Sequence, residues 1–572
     1  MAIEESFMKS VFYGAIPEEM VFPYPEMGRA ERENTGLIIE SLKRFADTVD
    51  AARIDREESI PPAVLQSLRD LGMFGLVIPT EYGGKGLGAT SYARVIEELS
   101  AIDASIAVTV GAHQSIGLKG ILLFGTESQK RRWLPQLATG ERLAAYALTE
   151  AGAGSDAAAI QTRAELAADG DGYRLSGQKV YTTNGGVADL FTVFARTTAA
   201  DQRTKPRITA FVVERGEGVR TGPNEPKLGI RGASTTTVEL DDARVPVSNV
   251  LGDVGRGFKV AMEVLNSGRL GLAAGCVGMA KKLTRLTVDR AQRRRAFGRP
   301  IGEFGMIKDK VARMMAETYA LESMVYLTTG MVDAKVPDYS LESAICKVFG
   351  SEVLWRVADD ALQVAAGVGY MQEHPFERVL RDARINLIFE GTNEILRAFI
   401  ALSGMQGPSR KLTEVGRVLR EPIKGFGPLY DFAIQRARTA LGRERMNRAH
   451  GTLRREVVVF EEYVGHFQKN VDKVLRKHGK EIAEMQYTQR RVADIAIDLY
   501  ALASALSRTT RAIERKGEDG AHREIELTAA FANMAERRLQ ANVAAFDDND
   551  DELRKGVAAQ AYGDGGYTFD VI

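Results

Sequence analysis

The 572-residue sequence contains little cysteine and little histidine. Cys276 and Cys346 are its only cysteines, which excludes a disulfide scaffold and a metal site built from several thiolates. The six histidines are scattered and show no metal-ligand spacing, so no metal site is predicted. No stretch approaches the ~18–20 uninterrupted apolar residues of a membrane span. We therefore expect a large soluble protein of a reducing compartment.

The sequence also lacks an excess of one charge, with 76 lysines and arginines against 76 acidic residues. A protein dedicated to nucleic acid would carry a basic excess, so no nucleic-acid partner is expected. The first residues, MAIEESFMKSVFYG, include two glutamates and lack the arginine-rich amphipathic pattern of a transit peptide. We therefore expect a cytoplasmic location in a bacterium, although a processed form in the mitochondrial matrix would share these features.

The pattern of helical and β-rich segments predicts several domains, because single cores stop growing near ~250–300 residues. Residues 1–145 have mostly helical spacing, whereas residues 146–255 contain short β-rich runs bounded by Gly, Asp and Asn. Long helical periods return in residues 256–405 and continue in residues 406–572. This order argues against an alternating βαβ sheet. The prediction is a mainly α protein with an inserted β domain, divided into these four domains.

Some helix ends can be predicted from local residues. Pro61-Pro62 is typical of a helix start, and Thr90 is a candidate N-cap of the following helix. The acidic FDDNDDE segment and the glycine-rich residues after it predict an exposed terminal peptide.

The C-terminal segment has a split charge. Residues 410–480 contain 17 lysines and arginines against 8 acidic residues, a net charge of +9. Residues 481–572 contain 11 against 17, a net charge of −6. An apolar stripe with helical spacing joins Tyr430, Ile434, Ala437 and Leu441, but the arginines near it do not segregate to one face. A solvated helix, a partner-facing helix and peripheral contact with anionic lipid remain alternatives.

The first segment that suggests chemistry is YALTEAGAGSDAAAI, from Tyr146 to Ile160. Its glycines and small residues let the backbone approach a ligand closely, and Thr149 and Ser155 add hydroxyls. By itself the segment is equally typical of an ordinary turn followed by a helix N-cap. It lacks the strand, G-x-G-x-x-G turn and helix of a dinucleotide fingerprint.

A second segment, GQKVYTTNGG, begins at Gly177. Tyr181 and Thr183 alternate along a predicted strand and would therefore share one face. An aromatic and a hydroxyl beside a glycine turn suit a planar heteroaromatic cofactor, although half-buried strands often have this pattern.

The third segment, RINLIFEGTNEILR, contains Glu390 between an apolar run and a glycine. A glutamate in a loop before a helix is usually only structural. Here the apolar neighbours would desolvate the carboxylate and raise its pKa, as a general base for a weak carbon acid requires.

In order and spacing across residues 20–405, these segments resemble the acyl-CoA dehydrogenase family. The matching signatures are LTEAGAGSD, GQKVYTTNGG, LGDVGRGFKVAM, RRAFGRPIGEF, VGYMQEHPFERVLRDARI and FEGTNEILR. The GAHQSIGLKGILLFGT stretch and the C-terminal extension are most similar to the very-long-chain branch. The resemblance implies a helical N-terminal domain, a middle β-sheet domain and a C-terminal four-helix bundle, with FAD between them.

The resemblance also implies an activity, the FAD-dependent α,β-dehydrogenation of a long- or very-long-chain fatty acyl-CoA to a trans-2-enoyl-CoA. This is the first step of fatty acid β-oxidation, and the electrons would pass to an electron-transfer flavoprotein. Glu390 falls on the position of the family's catalytic base. A flavin hydroxyl and the backbone amide of that base would stabilise the charge on the thioester oxygen.

The motifs carry further roles over to single positions. Positions that match FAD contacts are Tyr146, Leu148, Thr149, Gly154, Ser155, Tyr181, Thr183, Thr392 and Glu394. Positions that match contacts with the FAD of a neighbouring subunit, and so imply a homodimer, are Arg294, Phe297, Gln363 and Gly367. Positions that match acyl-CoA contacts are Ser155, Asn266, Arg269 and Gly391.

Some of these positions depart from the family or have another interpretation. Tyr181 stands where tryptophan is usual, and Ala366 stands where a glycine pair is common. Arg294 lies in an arginine-rich stretch, so a solvated basic face is its alternative interpretation. The small residues Gly111, Ala112 and Gly117 are consistent with a deep acyl cavity and equally with tight helix packing.

Two other functions remain open on the same fold. One is an assembly or scaffold protein, although the retained Glu390 removes the simplest reason to infer lost catalysis. The other is an acyl-CoA oxidase, which oxygen uptake during turnover would distinguish from a dehydrogenase.

Overall fold

The computed structural model describes residues 6–197, 207–420 and 445–570. The chain forms two compact units, one of Pro23–Ile395 and one that joins Met1–Phe22 to Leu396–Ile572. The predicted stripe from Tyr430 to Leu441 lies outside the described residues. The predicted four-domain division stays a prediction.

The N-terminal part of the chain is helical. Helices α1 to α8 are Phe7–Phe12, Arg29–Ala46, Ala51–Glu57, Pro62–Asp70, Ala89–Ile102, Ala104–Gly111, Lys119–Phe124 and Glu127–Thr139. A π-helical turn, Ala112–Gly117, connects α6 to α7. The segment Ala104–Phe124 is long and apolar enough to cross a membrane by length and composition alone, but 61% of its apolar window is buried inside the protein. Burial in the core accounts for that composition.

Two predicted helix starts have different outcomes. Pro62 is the first residue of α4, which confirms the proline start. Thr90 is not the N-cap of α5, which begins at Ala89. The carboxylate of Asp333 instead accepts hydrogen bonds from the amides of Ala89, at 2.6 Å, and Thr90, at 2.9 Å. The prediction of Thr90 is wrong because an acidic side chain distant in sequence caps these amides.

A sheet follows the first helices. Strands β1 to β8 are Ala144–Ala147, Arg163–Leu166, Gly172–Thr183, Leu190–Thr197, Arg207–Glu214, Val219–Thr221, Thr235–Pro246 and Val250–Leu251. Their order is β6-β7-β3-β2-β4-β5-β8, and β1 pairs with β4 in parallel. The register of β3 against β7 shifts between Lys179 and Thr182.

Long helices return after the sheet. Two short strands, β9 (Arg295–Ala296) and β10 (Arg299–Pro300), separate α9 from α10. Helices α9 to α14 are Gly257–Arg293, Gly305–Asp333, Ser340–Ala365, Gly367–Tyr370, Pro375–Arg384 and Asn393–Arg420. Helix α9 packs against α5, α10 and α11, and α11 packs against α13.

The other unit is built from both ends of the chain. Helices α15 to α18 are Arg454–His478, Gln486–Gly520, His522–Ala544 and Asp551–Asp564. The ring of Phe12 packs edge-on against Phe467 with 4.7 Å between centroids. Helix α1 belongs to this unit. Residues 551–564 form a helix without a buried residue, in agreement with the predicted exposure.

Candidate active site

A narrow cavity of about 90 Å³ lies inside the unit Pro23–Ile395. Small residues from the α6 region and from α9 form much of its wall, among them Gly111, Ala112 and Gly271. Thr183 at the end of β3 and the carboxylate-bearing Glu390 also line it. The cavity therefore brings together residues from the first helices, the sheet and the last helices of the unit.

Glu390 is carried on a turn between a short 3₁₀ helix and α14. Its φ is 59°, and the following Gly391 has a φ of 93°. Thr392 caps α14, since its hydroxyl oxygen accepts from the amide of Ile395 at 3.3 Å. A left-handed conformation at a residue other than glycine costs roughly 1–2 kcal/mol. The surrounding contacts must therefore hold Glu390 in place.

The carboxylate of Glu390 has a buried Oε2 and lies close to α9. Its Oε2 has no hydrogen-bond partner among the described residues. A Cβ added to Gly268 would lie 2.7 Å from Oε1, so glycine makes room for the carboxylate. Burial raises the pKa of Glu390 to about 7, and the charges of Arg269 and Lys347 oppose this increase. A buried base with a pKa near neutrality can be ionised and still accept a proton readily.

Two buried cations hold the backbone of the turn. The Nε of Arg269 donates to the carbonyl of Glu390 at 3.2 Å, and an Nη donates to Asn266 at 3.1 Å. The Nζ of Lys347 donates to the carbonyl of Gly391 at 2.7 Å. The predicted substrate residues Asn266, Arg269 and Gly391 therefore lie together around Glu390. Sequence reasoning missed Lys347 and Gly268, because only the folded chain brings them to this turn.

A buried ion pair joins the first and second sequence segments. Lys179 in β3 donates to Glu150 at 2.7 Å and to the carbonyl of Leu148 at 3.2 Å. The amide of Val180 donates to the carbonyl of Thr149 at 2.9 Å. Burial lowers the pKa of Lys179 to about 8, although the carboxylate of Glu150 opposes this decrease. Sequence reasoning also missed this pair, which fixes Leu148 and Thr149 beside β3.

The predicted FAD positions near this pair present open surface. A Cβ on Gly154 would meet no atom within 4 Å, and Gly154 and Ser155 are both exposed. Tyr181 is 68% exposed and has a φ of 55°. The register shift at this point interrupts the alternation from which Tyr181 and Thr183 were expected to share a face.

The ring of Tyr146 lies 5.0 Å from that of Phe194, and its hydroxyl donates to the carbonyl of Ala261 at 3.4 Å. Thr392 is half-buried, and Glu394 is exposed in the first turn of α14. The structure therefore places Thr392 and Glu394 on the turn that carries the carboxylate.

A second cleft, of about 700 Å³, contains three of the four positions predicted to contact a neighbouring subunit's FAD. Arg294, Phe297 and Gly367 line it, and Gln363 is exposed one residue before the lining Val364. Phe297 is 94% exposed. The buried Nε of Arg290, another lining residue, has no partner among the described residues. A cleft with this arginine and an exposed aromatic suits an anionic ligand that carries a flat ring.

Comparison with known proteins explains this arrangement. Three acyl-CoA dehydrogenase domain families match, the N-terminal domain at residues 32–141, the middle domain at 145–243 and the C-terminal domain at 255–405. The chain belongs to the acyl-CoA dehydrogenase family. The ACAD9/ACADV C-terminal domain matches residues 451–562 of this acyl-CoA dehydrogenase.

Similar proteins cover nearly the whole dehydrogenase. A mitochondrial very long-chain specific acyl-CoA dehydrogenase of Macaca fascicularis is 43% identical over 95% of this chain and 85% of its own length. An acyl-CoA dehydrogenase of Bacillus anthracis, solved in complex with FAD, is 34% identical with a TM-score of 0.79 over 96% of this chain and 94% of that one.

A chain from the structure of an Acidaminococcus fermentans electron transferring flavoprotein is 35% identical, with a TM-score of 0.63. It covers 67% of this chain and 99% of that one.

These findings confirm the predicted family, the fold class and an oxidoreductase that dehydrogenates fatty acyl-CoA in β-oxidation, with FAD as the cofactor. The residues present fit FAD in two respects. Gly154, Ser155 and Tyr181 leave open surface beside Thr149, and the second cleft offers the Nε of Arg290, which has no partner in the described part of the chain.

Proposed function

We propose that Glu390 is the base that removes the α-proton and that the preferred substrates are long- or very-long-chain fatty acyl-CoAs. The observation that carries this proposal is the buried carboxylate of Glu390, whose Oε2 has no described partner at the wall of a narrow cavity. An unpartnered oxygen is available for a proton from a bound ligand. When bound, FAD would supply the acceptor for the hydride that leaves the β-carbon, as flavins do.

The surroundings of Glu390 suit proton removal from a weak carbon acid. Water exclusion strengthens electrostatic interactions inside the cavity, and fixed donors can stabilise negative charge on the thioester oxygen. The amide of Glu390 donates to no described residue, so it is available to that oxygen. We assign Asn266, Arg269, Gly391 and Ser155 to the binding of the acyl-CoA.

The FAD positions follow from the open surface beside β3 and α14. We assign the cofactor contacts to Tyr146, Leu148, Thr149, Gly154, Ser155, Tyr181, Thr183, Thr392 and Glu394. The ion pair of Lys179 and Glu150 supports this assignment, because it fixes the backbone from which Leu148 and Thr149 extend.

The small wall residues of the cavity leave room for an acyl chain. A Cβ on Gly111 would meet no atom within 4 Å, and both Gly111 and Ala112 line the cavity. Gly117 does not share this role, because a Cβ there would lie 2.8 Å from the backbone of Ala144. Similarity to a very long-chain specific enzyme adds independent support for long substrates.

We propose a homodimer in which the second cleft receives the FAD of the partner subunit, through Arg294, Phe297, Gln363 and Gly367. The exposure of the Phe297 ring supports this arrangement, as does the Nε of Arg290, for which the described residues supply no partner. The proposed electron acceptor is an electron-transfer flavoprotein, and the similarity to a chain from the structure of such a flavoprotein supports this choice. We further propose that the positively charged residues 410–480 make peripheral contact with anionic lipid.

The relatives include a mitochondrial protein and a bacterial one. We propose a bacterial cytoplasmic location, with the mitochondrial matrix as the alternative.

The decisive experiment is the visible spectrum of the purified protein before and after anaerobic addition of palmitoyl-CoA. We expect the flavin band to bleach in the wild-type protein and to persist in Glu390→Gln, which retains FAD but lacks the base. A yellow wild-type protein that no acyl-CoA bleaches would favour a scaffold role. Bleaching followed by rapid oxygen uptake in air would favour an oxidase.

A further inference from the structure

Lys347 in α11 is a buried cation to which the proposed reaction gives no role. Its side chain is fully buried, and its Nζ donates to the carbonyl of Gly391 at 2.7 Å and to Oδ1 of Asn393 at 2.8 Å. We propose that Lys347 is a positioning residue for the base. It holds the turn that carries Glu390 in place, and it supplies a positive charge that favours the ionised carboxylate. This inference rests on the proposed role of Glu390.

The geometry of the turn shows why such a residue is needed. Glu390 and Gly391 both have positive φ, and the conformation is unfavourable at Glu390 because it has a Cβ. Arg269 holds the carbonyl of Glu390, while Lys347 holds the next carbonyl. Two successive peptide groups are therefore fixed by cations from two different helices, α9 and α11.

The second partner of Lys347 is itself anchored on α11. The side-chain Nδ2 of Asn393 donates to Ser351 at 3.0 Å and to Glu352 at 3.2 Å. This orientation leaves Oδ1 of Asn393 facing the ammonium group of Lys347. Asn393 is the first residue of α14. Lys347 therefore joins one rigid helix to both the catalytic turn and the start of the helix that follows it.

The positive charge of Lys347 can stabilise the ionised carboxylate of Glu390 without a hydrogen bond between the two side chains. Its hydrogen bonds go to a carbonyl and an amide oxygen, and Oε2 of Glu390 has no described partner. A cation near the base lowers the free energy of the ionised form, so it partly offsets the effect of burial.

Several other ionisable groups interact electrostatically with Glu390 and Lys347. The groups whose charge or ionisation acts on Glu390 are Arg269 from α9, Lys347 from α11, Tyr92 from α5 and Tyr146 from β1. Lys347 in turn interacts with Cys276, Glu390, Arg269 and Glu352. The two cations oppose the increase that burial causes in the pKa of Glu390. Burial lowers the pKa of Lys347 to about 8, so its charge is present near neutral pH, where the base must ionise.

The test is the pH dependence of flavin reduction by palmitoyl-CoA in the holoenzyme, measured by stopped flow for Lys347→Gln, Lys347→Met and Lys347→Arg. The Gln and Met variants remove the charge, whereas Arg keeps it. We expect the acidic limb of the rate profile to move to higher pH in Gln and Met, on the order of one pH unit. In Arg the limb should stay near its wild-type position. If Met does not fold, the comparison of Gln with Arg decides.

A control variant separates charge from packing. Ser351→Ala removes a hydroxyl that bonds to Asn393 but leaves every charge in place. We expect the acidic limb of the rate profile of Ser351→Ala to stay at the wild-type pH, even if the melting temperature of this variant falls.

An unmoved limb in the Gln variant, with flavin content retained, would overturn the inference and leave Lys347 a purely structural residue. Reduction of the flavin in Glu390→Gln at the wild-type rate would instead refute the proposed base itself.

Discussion

At the scale of single residues, the Glu390 carboxylate needs space that position 268 provides only as glycine. A Cβ there would approach Oε1 and Oε2 to 2.7 and 2.8 Å, well inside van der Waals contact. The same helix has Gly271 one turn further on, where the nearest atom to an added Cβ is 3.7 Å away. A methyl group therefore fits at position 271, whereas at position 268 it would displace the carboxylate.

Gly268→Ala is expected to lower the rate of flavin reduction by roughly 10–100-fold, because the carboxylate must move away from its position. Gly271→Ala is the matched control on the same helix, and its rate should fall far less. Stopped-flow reduction by palmitoyl-CoA, normalised to bound flavin, measures both. Equal rates in the two variants would contradict the steric role of Gly268.

Glu390 also links pH to stability. Burial raises its pKa in the folded protein to about 7 from the ordinary 4.5, so the ionised form is disfavoured in the fold. The resulting loss in the free energy of unfolding is absent below pH 4.5, grows between pH 4.5 and pH 7, and is complete above pH 7.

Glu390→Gln should therefore unfold at a higher temperature than the wild-type holoenzyme at pH 8 and at a similar temperature at pH 4.5. The expected gain at pH 8 is on the order of 2–3 kcal/mol. Thermal unfolding at the two pH values measures it, with the exposed Glu165→Gln as a control that should show no such difference. A gain of equal size at both pH values would argue against a raised pKa.

At the scale of elements, the α6 segment and its π-helical turn serve two purposes within a few residues. Gly111 faces the cavity, where an added Cβ meets nothing within 4 Å. Gly117 faces β1, where it would meet the backbone of Ala144 at 2.8 Å. Gly111 therefore leaves open space in the cavity, whereas Gly117 allows tight packing of the turn against β1.

Gly111→Leu should shorten the cavity, lowering kcat/KM for palmitoyl-CoA relative to octanoyl-CoA by about tenfold or more. Gly117→Ala should instead lower the melting temperature without changing the preference for chain length, since backbone atoms of β1 cannot move aside cheaply. Steady-state kinetics with the two substrates and thermal unfolding distinguish the variants. An unchanged substrate ratio in Gly111→Leu would place the acyl chain elsewhere.

At the scale of the whole molecule, the two ends of the chain form one unit. Helix α1 is buried in that unit, and Phe12 packs on Phe467 of α15. A chain ending at residue 405 would lose α15 to α18 and expose the apolar side chains of α1 to water.

We therefore expect a chain of residues 1–405 to aggregate or bind a hydrophobic dye strongly, by size-exclusion chromatography and fluorescence. A chain of residues 23–405 should behave better, because it lacks α1 and keeps the unit Pro23–Ile395 that contains Glu390 and the cavity. Flavin bleaching by acyl-CoA should persist in it. A monodisperse chain of residues 1–405 would show that the apolar side chains of α1 do not need burial by the C-terminal helices.

The sequence by itself determined the family, the helix–sheet–helix order, FAD as the cofactor and fatty acyl-CoA dehydrogenation, because these follow from short contiguous motifs. Helix starts set by local residues, such as Pro62, were predictable for the same reason. Where a contact joins distant segments, local patterns failed, as with Asp333 capping the helix assigned to Thr90.

Only the tertiary structure decided what surrounds Glu390. Gly268 and Lys347 lie 122 and 43 positions from Glu390 along the chain, and the packing of α9 and α11 brings them to its turn. The same holds for the pairing of Lys179 with Glu150 and for the union of the chain's two ends. Sequence patterns report propensity and local chemistry, whereas burial and charge at a site arise from long-range packing, which no local pattern encodes.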